Sequence, residues 1–479
     1  MAPLTRRTFV AGTAAIPFAL WFEQFAQAQT GFIRYDARST QGKAMLKIYA
    51  GAVRKMRNKT LYSEGNPRSW TFQWYTHFVR GDRTKTAEIN RIYPSPSAWK
   101  NLAQEMWNTC QAHNGQPEDY FLPWHRMFVY YFEQIIRKVS GEPTFTLPYW
   151  NYSVSGPNHG VMPVEFRKPL DLVYGPLYVE KRNPGVNAGD PIDEGEPDDP
   201  LSLDSLEECQ YSQNGSNQGF CLALDGGLHG NVHVLVGNGQ NMGSVPWAAY
   251  DPIFWLHHSN IDRLWASWNA AGRLNPSGST FLNKTFVFAD GNGNKVVATI
   301  KDFLSISALH YKYQKLEPVP PCASAATTGV QGAEPRKLAT VAGIALGAQP
   351  ARATLTAPPS PVATVPIGEA VEHLKANQRL FLVVRDLKTD IQPEVIYHLY
   401  LQLTSNAGGS GDFYVGSINF FDAHHENAEK FRSFDVTDLA KELRAKGLLN
   451  DTAELTIAPA GEPAADAKPV IGEVSLVSQ

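Results

Sequence analysis

The stretch DPIFWLHHSNIDRLW (251–265) constrains the chain more than any other. It is apolar enough to be a buried helix, yet it carries two adjacent histidines, an Asp and an Arg. Buried polar groups need partners, so the elements packed on this helix must offer them. Neighbouring helix positions point about 100° apart, so one metal ion cannot easily take both His257 and His258. With Asp251 as cap and Pro252 in the first turn, Phe254, His258 and Asp262 share a face and His257 turns away. His258 is taken as the ligand with His257 beside it, a choice that this spacing permits but does not force. Asp262 and Arg263 are placed to pair with groups that hold the helix.

Of thirteen histidines, eight lie between positions 77 and 258. His229 and His233, in HGNVH, are four apart and share a helix face, with Cβ atoms about 5–6 Å apart. His257 or His258 offers a third nitrogen from another helix. Upstream the same number recurs: His77 in WYTHFV, His113 in CQAHN and His125 in FLPWHR. Two sets of three imidazoles from several helices suggest two metals in a bundle core. All-imidazole ligation suits copper, zinc, iron or nickel, and does not suit calcium or magnesium. Eleven Trp and 24 Phe fall largely between 70 and 270, giving an apolar site suited to redox chemistry with oxygen. His159 reads as a loop residue.

The order of elements gives a mainly α region followed by a small β-sandwich. Helical spacing marks 42–57, 97–113 and 124–140, and residues 154–227 read as an irregular excursion rich in Pro, Gly, Asn and Asp. An Ala/Thr/Pro-rich stretch, 322–368, reads as a linker, partly extended. Beyond it, alternation predicts strands at 379–387, 395–403, 412–421, 453–460 and 472–478. One helix, 435–447, interrupts them, with Asp435 as cap and Gly447 as stop. The expected units are therefore 30–320, a linker at 322–368 and a sandwich at 369–479. His373, His398, His424 and His425 read as surface or core residues of that sandwich.

The N-terminal LTRRTFVAG, with Arg6 and Arg7, a short apolar run and the small-residue AQA (26–28), reads as a twin-arginine signal peptide cut near Ala28. Such export, to the periplasm or the medium, carries folded and cofactor-loaded protein. The apolar run is short for a membrane span, so no membrane association is expected once the signal is removed. A net charge of −3 gives no argument for nucleic acid. Four cysteines are no disulfide scaffold; Cys209 and Cys221 are close enough to pair across a loop. Oligomeric state is open, and a homo-oligomer is compatible with the composition.

FLPWHR (121–126), HGNVH (229–233) and DPIFWLHHSNIDRLW together resemble the type-3 copper proteins: tyrosinases, catechol oxidases and the related hemocyanins. The resemblance covers about residues 35–275. It implies a four-helix bundle holding two copper ions, one on His77, His113 and His125, the other on His229, His233 and His258. It implies oxidation of phenols by O2, either ortho-hydroxylation of monophenols with oxidation of o-diphenols to o-quinones, or oxidation of catechols or o-aminophenols alone. A hemocyanin-like oxygen carrier uses the same ligands, but an export signal and single-copy domains argue against it. A dinuclear zinc hydrolase would want bridging carboxylates.

Three departures bear on the site. Relatives often join a Cys to the middle histidine of the first set in a C-x-H spacing, whereas Cys110 and His113 are spaced C-x-x-H, leaving thioether or free thiol open. Many tyrosinases carry Asn directly after the first histidine of the second set, where it helps deprotonate the phenol; here Gly230 takes that place and Asn231 follows. Asp225, Glu207 and Glu208 read as solvated loop acids. Phe254 is expected to pack among the ligand imidazoles. The sandwich is similar to a shielding domain, with Tyr397, Tyr400 or Tyr414 as the aromatic reaching the site.

Overall fold

The computed structural model describes residues 31–110, 119–196, 199–322, 334–358, 366–375, 378–404, 413–423 and 431–479. The stretch read as a signal peptide, His113, His424 and His425 lie outside them. Helices are α1 (Thr40–Arg57), α2 (Trp70–His77), α3 (Lys85–Ile92), α4 (Ala98–Met106), α5 (Phe121–Ser140), α6 (Gly219–Leu224), α7 (Gly230–Val236), α8 (Val245–Ala248), α9 (Ile253–Ala270) and α10 (Ser279–Leu282) in the first half. α11 (Ile367–Glu372) and α12 (Thr437–Ala445) belong to the second. None of the described helices is long and apolar enough to cross a membrane.

Local chemistry sets the boundaries. Ser39 and Ser69 cap α1 and α2, each hydroxyl accepting a backbone N–H of the first turn. Gly141, at φ 85°, stops α5 in the left-handed conformation that glycine adopts freely. α4 ends earlier than its expected reach to 113. Asn108 turns left-handed (φ 58°), and its amide oxygen accepts from Val79 N at 2.7 Å. Cys110 therefore follows the helix instead of riding on it.

α5 packs against both α1 and α9, with Phe132 stacked 3.4 Å from Trp255. Ions pin this contact. Asp262 of α9 accepts from Arg126 of α5 (2.5 Å), Arg34 (3.0 Å), Tyr311 (2.6 Å) and Tyr313 (2.6 Å). Arg34 also reaches Glu133 at 3.0 Å. Burial pushes the Asp262 carboxyl up, but Arg126 and Arg34 outweigh it and hold the group below its ordinary value. Pro252 caps α9. Asp251 accepts from Ile253 N at 3.1 Å and holds Arg182 through two bonds of 2.8 Å.

Four short strands serve the helical region: β1 (Phe32–Arg34), β2 (Thr285–Ala289), β3 (Lys295–Thr299) and β4 (Tyr311–Tyr313). β1 runs parallel to β4, and β2 antiparallel to β3. The C-terminal strands are β5 (Arg336–Ala345), β6 (Ala351–Leu355), β7 (Leu380–Lys388), β8 (Tyr397–Thr404), β9 (Phe413–Ile418), β10 (Phe431–Asp435), β11 (Leu449–Pro459) and β12 (Val470–Ser478). They form two antiparallel sheets, β10-β7-β12-β5 and β6-β11-β8-β9, enclosing a separate apolar core. The chain thus has a helical core followed by a strand-rich C-terminal region.

Two expectations need correcting. The stretch read as a linker supplies β5, β6 and α11. β5 is an edge strand rich in small residues, so its composition mimics a linker while the ladder with β12 holds it. Cys209 bonds to Cys322, not to Cys221. Cys221 sits on α6 facing the core, fully buried against the Asp119 carbonyl, so it cannot turn outward to meet Cys209.

Replacing Asp262 with Ala would leave the buried guanidinium of Arg126 without its counter-charge and that of Arg34 with Glu133 alone. The expected loss is about 3–5 kcal/mol, measured by urea unfolding at neutral pH. Because the native carboxyl titrates below its unfolded value, the wild-type advantage should be complete above about pH 4. It should vanish as pH falls through the native value.

Candidate metal centre

Five segments deliver the histidines: α2 (His77), α5 (His125), a π turn over Asp225–His229 (His229), α7 (His233) and α9 (His257, His258). All six are buried. Two groups form whose ligating atoms lie within 4.8 Å of one another: His229, His233, His257 and His258, and His77, Cys110 and His125. The groups adjoin. The His125 and His258 rings stack at 4.2 Å with 6° between their planes, and His229 lies 5.1 Å from His258.

Backbone carbonyls fix how four rings face. The Nδ1 of His77 meets Val245 O (3.1 Å), that of His125 meets Phe121 O (2.9 Å), that of His229 meets Asp225 O (3.1 Å) and that of His233 meets Met242 O (2.8 Å). A carbonyl only accepts, so Nδ1 carries the hydrogen and Nε2 keeps its lone pair for the interior. Among the described residues His233 Nε2 and both nitrogens of His258 and His257 have no hydrogen-bond partner. Burial, then neighbouring imidazoles, pushes His233, His257 and His258 well below the ordinary histidine value. Neutral, buried, convergent nitrogen donors fit a copper-type ion.

Phe254 packs among these rings, 4.3 Å from His258 and 4.9 Å from His77. His257 faces away from α5, stacked on His229 at 5.3 Å and beside Tyr152 at 5.6 Å. Cys110 Sγ lies 3.5 Å from His125 Nε2, while a link to His113 falls outside the described residues. His159 lies in a turn, as expected, with its Nε2 2.8 Å from Asp193 and 3.6 Å from Asp199, away from the centre.

The sequence reading missed three residues at the site. Asp225 is buried, its carboxylate 3.0 Å from His229 Nδ1. Its position four residues before His229 was the available signal, because that spacing joins side chains on one helix face. The other two come from the sandwich. Phe421 stacks on His233 at 4.0 Å and 14°, and stands edge-on to His229 at 5.6 Å. The aromatic at the centre is therefore Phe421. Tyr397 lies in the sandwich core, and the rings of Tyr400 and Tyr414 meet each other 5.7 Å apart, tilted by 59°. Asn419 donates to Gly226 O (2.8 Å) and Asn231 Oδ1 (2.9 Å). A Cβ on Gly230 would fall 2.5 Å from Asn419 Oδ1, so this glycine is where the sandwich makes its close approach. Asn231 is engaged by Asn419 and donates to Pro200 O at 3.0 Å.

The chain is similar to known proteins. The common central domain of tyrosinase matches residues 67–169 and 179–271, and the polyphenol oxidase middle domain matches 276–325. The chain belongs to the tyrosinase and polyphenol oxidase family. A tyrosinase of Hahella sp. (strain CCB-MM4) is 27% identical over 476 residues, spanning 91% of this chain and 97% of that one. Catechol oxidase B of Solanum tuberosum is 31% identical over 227 residues, 40% of this chain and 37% of that protein. The structure of latent apple tyrosinase aligns with a TM-score of 0.60 at 21% identity, covering 94% of this chain and 97% of that one, a likeness of fold.

Gly230→Asn should displace Asn419 and break its two bonds, one to Gly226 of the π turn and one to Asn231 of α7. At about 0.5–1.5 kcal/mol per bond, docking of the sandwich should weaken by about 1–3 kcal/mol. Hydrogen exchange should rise at 226–231 and 419–421 and stay unchanged in α1 and α5.

Proposed function

We propose that the chain is an oxidase that uses two copper ions and O2 to oxidise phenols, exported by the twin-arginine route. One ion is assigned to His77, His113 and His125, the other to His229, His233 and His258. The observation that carries this reading is the set of buried imidazoles whose Nδ1 atoms are tied to carbonyls, leaving Nε2 turned inward. His258 is preferred to His257 because its ring contacts both groups, while His257 meets only the second. Bound copper would supply the electron transfer to O2 that no amino-acid side chain provides.

The chain's own residues hold the imidazoles neutral and oriented, and the rings of Phe254, Phe128 and Phe121 exclude water around them. Asp225, on the Nδ1 side of His229, fixes that ring and strengthens it as a donor. The leading activity is that of a tyrosinase, with monophenols hydroxylated and o-diphenols oxidised to o-quinones. Gly230 supports the alternative of a catechol or o-aminophenol oxidase, because no side chain at 230 is present to orient a water. In this reading the sandwich is a shield and Phe421 covers His233 and His229, two of the residues that would hold the second ion.

Oxygen uptake and quinone absorbance, with tyrosine and separately with L-DOPA, test these assignments on copper-loaded protein. Turnover of both substrates is the result expected of a tyrosinase; turnover of L-DOPA alone selects catechol oxidase. Cleavage within 323–333, or Phe421→Ala, should raise turnover at least about tenfold. Equal rates with and without the sandwich would overturn the shielding role. His258→Ala should halve the bound copper, and His257→Ala should leave it unchanged.

A further inference from the structure

α9 buries two adjacent imidazoles, and the copper assignment uses only that of His258. His257 is fully buried as well. Neither of its ring nitrogens has surface open to water or a hydrogen-bond partner among the described residues. Burying a polar group in that state is costly, and a phenylalanine ring would fill the same place without the cost. Packing therefore does not account for an imidazole here, whereas a use for its nitrogen does. Burial, then His229, pushes the group well below the ordinary histidine value, so the ring is neutral and one nitrogen keeps its lone pair.

The neighbours of His257 show what that lone pair can meet. Its ligating atom lies within 4.8 Å of those of His229, His233 and His258. Two nitrogens on opposite sides of one ion are about 4.2 Å apart, at metal–nitrogen bonds of about 2.0–2.1 Å, so small shifts bring His257 into reach. Neighbouring helix positions point about 100° apart, so an ion on His229 and His233 takes His257 or His258 in turn. The two rings have different surroundings. That of His258 lies between the two groups, 4.2 Å from His125 and 5.1 Å from His229. That of His257 stacks on His229 at 5.3 Å, stands edge-on to His233 at 4.8 Å and borders Tyr152 at 5.6 Å. From the sandwich side Phe421 covers His233 and His229. His257 thus offers that pair a third donor on the side of the Tyr152 loop.

We infer that His257 is a transfer ligand for copper, completing a temporary three-imidazole site with His229 and His233 before His258 takes its place. A donor used only on the way lowers the barrier to entry and to exit alike, and leaves the final affinity unchanged. The inference rests on the copper reading above.

The test is the rate of copper exchange. Metal-free full-length protein is mixed with Cu(I) bicinchoninate, whose absorbance falls as copper is transferred, and excess bathocuproine disulfonate added to loaded protein gives the rate of removal. In His257→Phe one of the two copper equivalents should enter and leave at least about tenfold more slowly, with the copper content and Kd of the unaltered protein. His257→Met, whose thioether also ligates Cu(I), should restore both rates. Unaltered rates in His257→Phe, slow rates in both variants, or a Kd weakened by faster release would each overturn the transfer role. Failure of the unaltered protein to take up copper would overturn the copper reading itself, and this inference with it.

Discussion

Asp262 is the point on which the geometry of the centre depends. Its carboxylate joins a guanidinium from α5, another from β1 and two phenols from β4. Arg126 directly follows His125, and Asp262 lies one helical turn beyond His258. The ion pair between these two residues therefore sets the height and rotation of the two helices that place His125 and His258 face to face. Burying such charges is costly unless every lone pair is used, and here each carboxylate oxygen accepts. A shift of either helix would break these bonds, so the register is held by more than apolar packing.

Around that frame the imidazoles are prepared without any ion. Burial disfavours the charged forms of His233, His257 and His258, and the carbonyls of Phe121, Asp225, Met242 and Val245 settle which nitrogen keeps its hydrogen in the rings they meet. A ligand so oriented loses little freedom when a metal binds. The apolar face of Phe254 keeps competing water from the same nitrogens.

The histidine spacing and the apolar periodicity of α5 and α9 made the helical half legible, because one helix period governs both packing and ligation. The sandwich was legible only where strands alternate strongly. β5 escaped notice because Ala, Thr and Gly carry little hydrophobic signal, and its place is decided by the ladder with β12. Phe421 and Asn419 could not have been found from spacing, since they meet His233 and Gly226 across almost two hundred residues of sequence. Cys221 misled for a related reason: sequence distance says nothing about which way a helix turns its side chains.

The contact between the regions also changes what Gly230 means. A missing Asn after His229 reads in sequence as a lost aid to phenol deprotonation. In the structure the space beside Gly230 holds the Asn419 amide, which belongs to the sandwich. Arg432 of β10 lies against Gly226, and its buried charge is countered by Asp225. A state with the sandwich displaced would remove both groups at once, leaving Asp225 beside His229 without its guanidinium and opening the space over Gly230 to water. The groups that neighbour Asp225 and Gly230 thus come from the docked sandwich, and residue 230 must be judged with residues 419 and 432 in view.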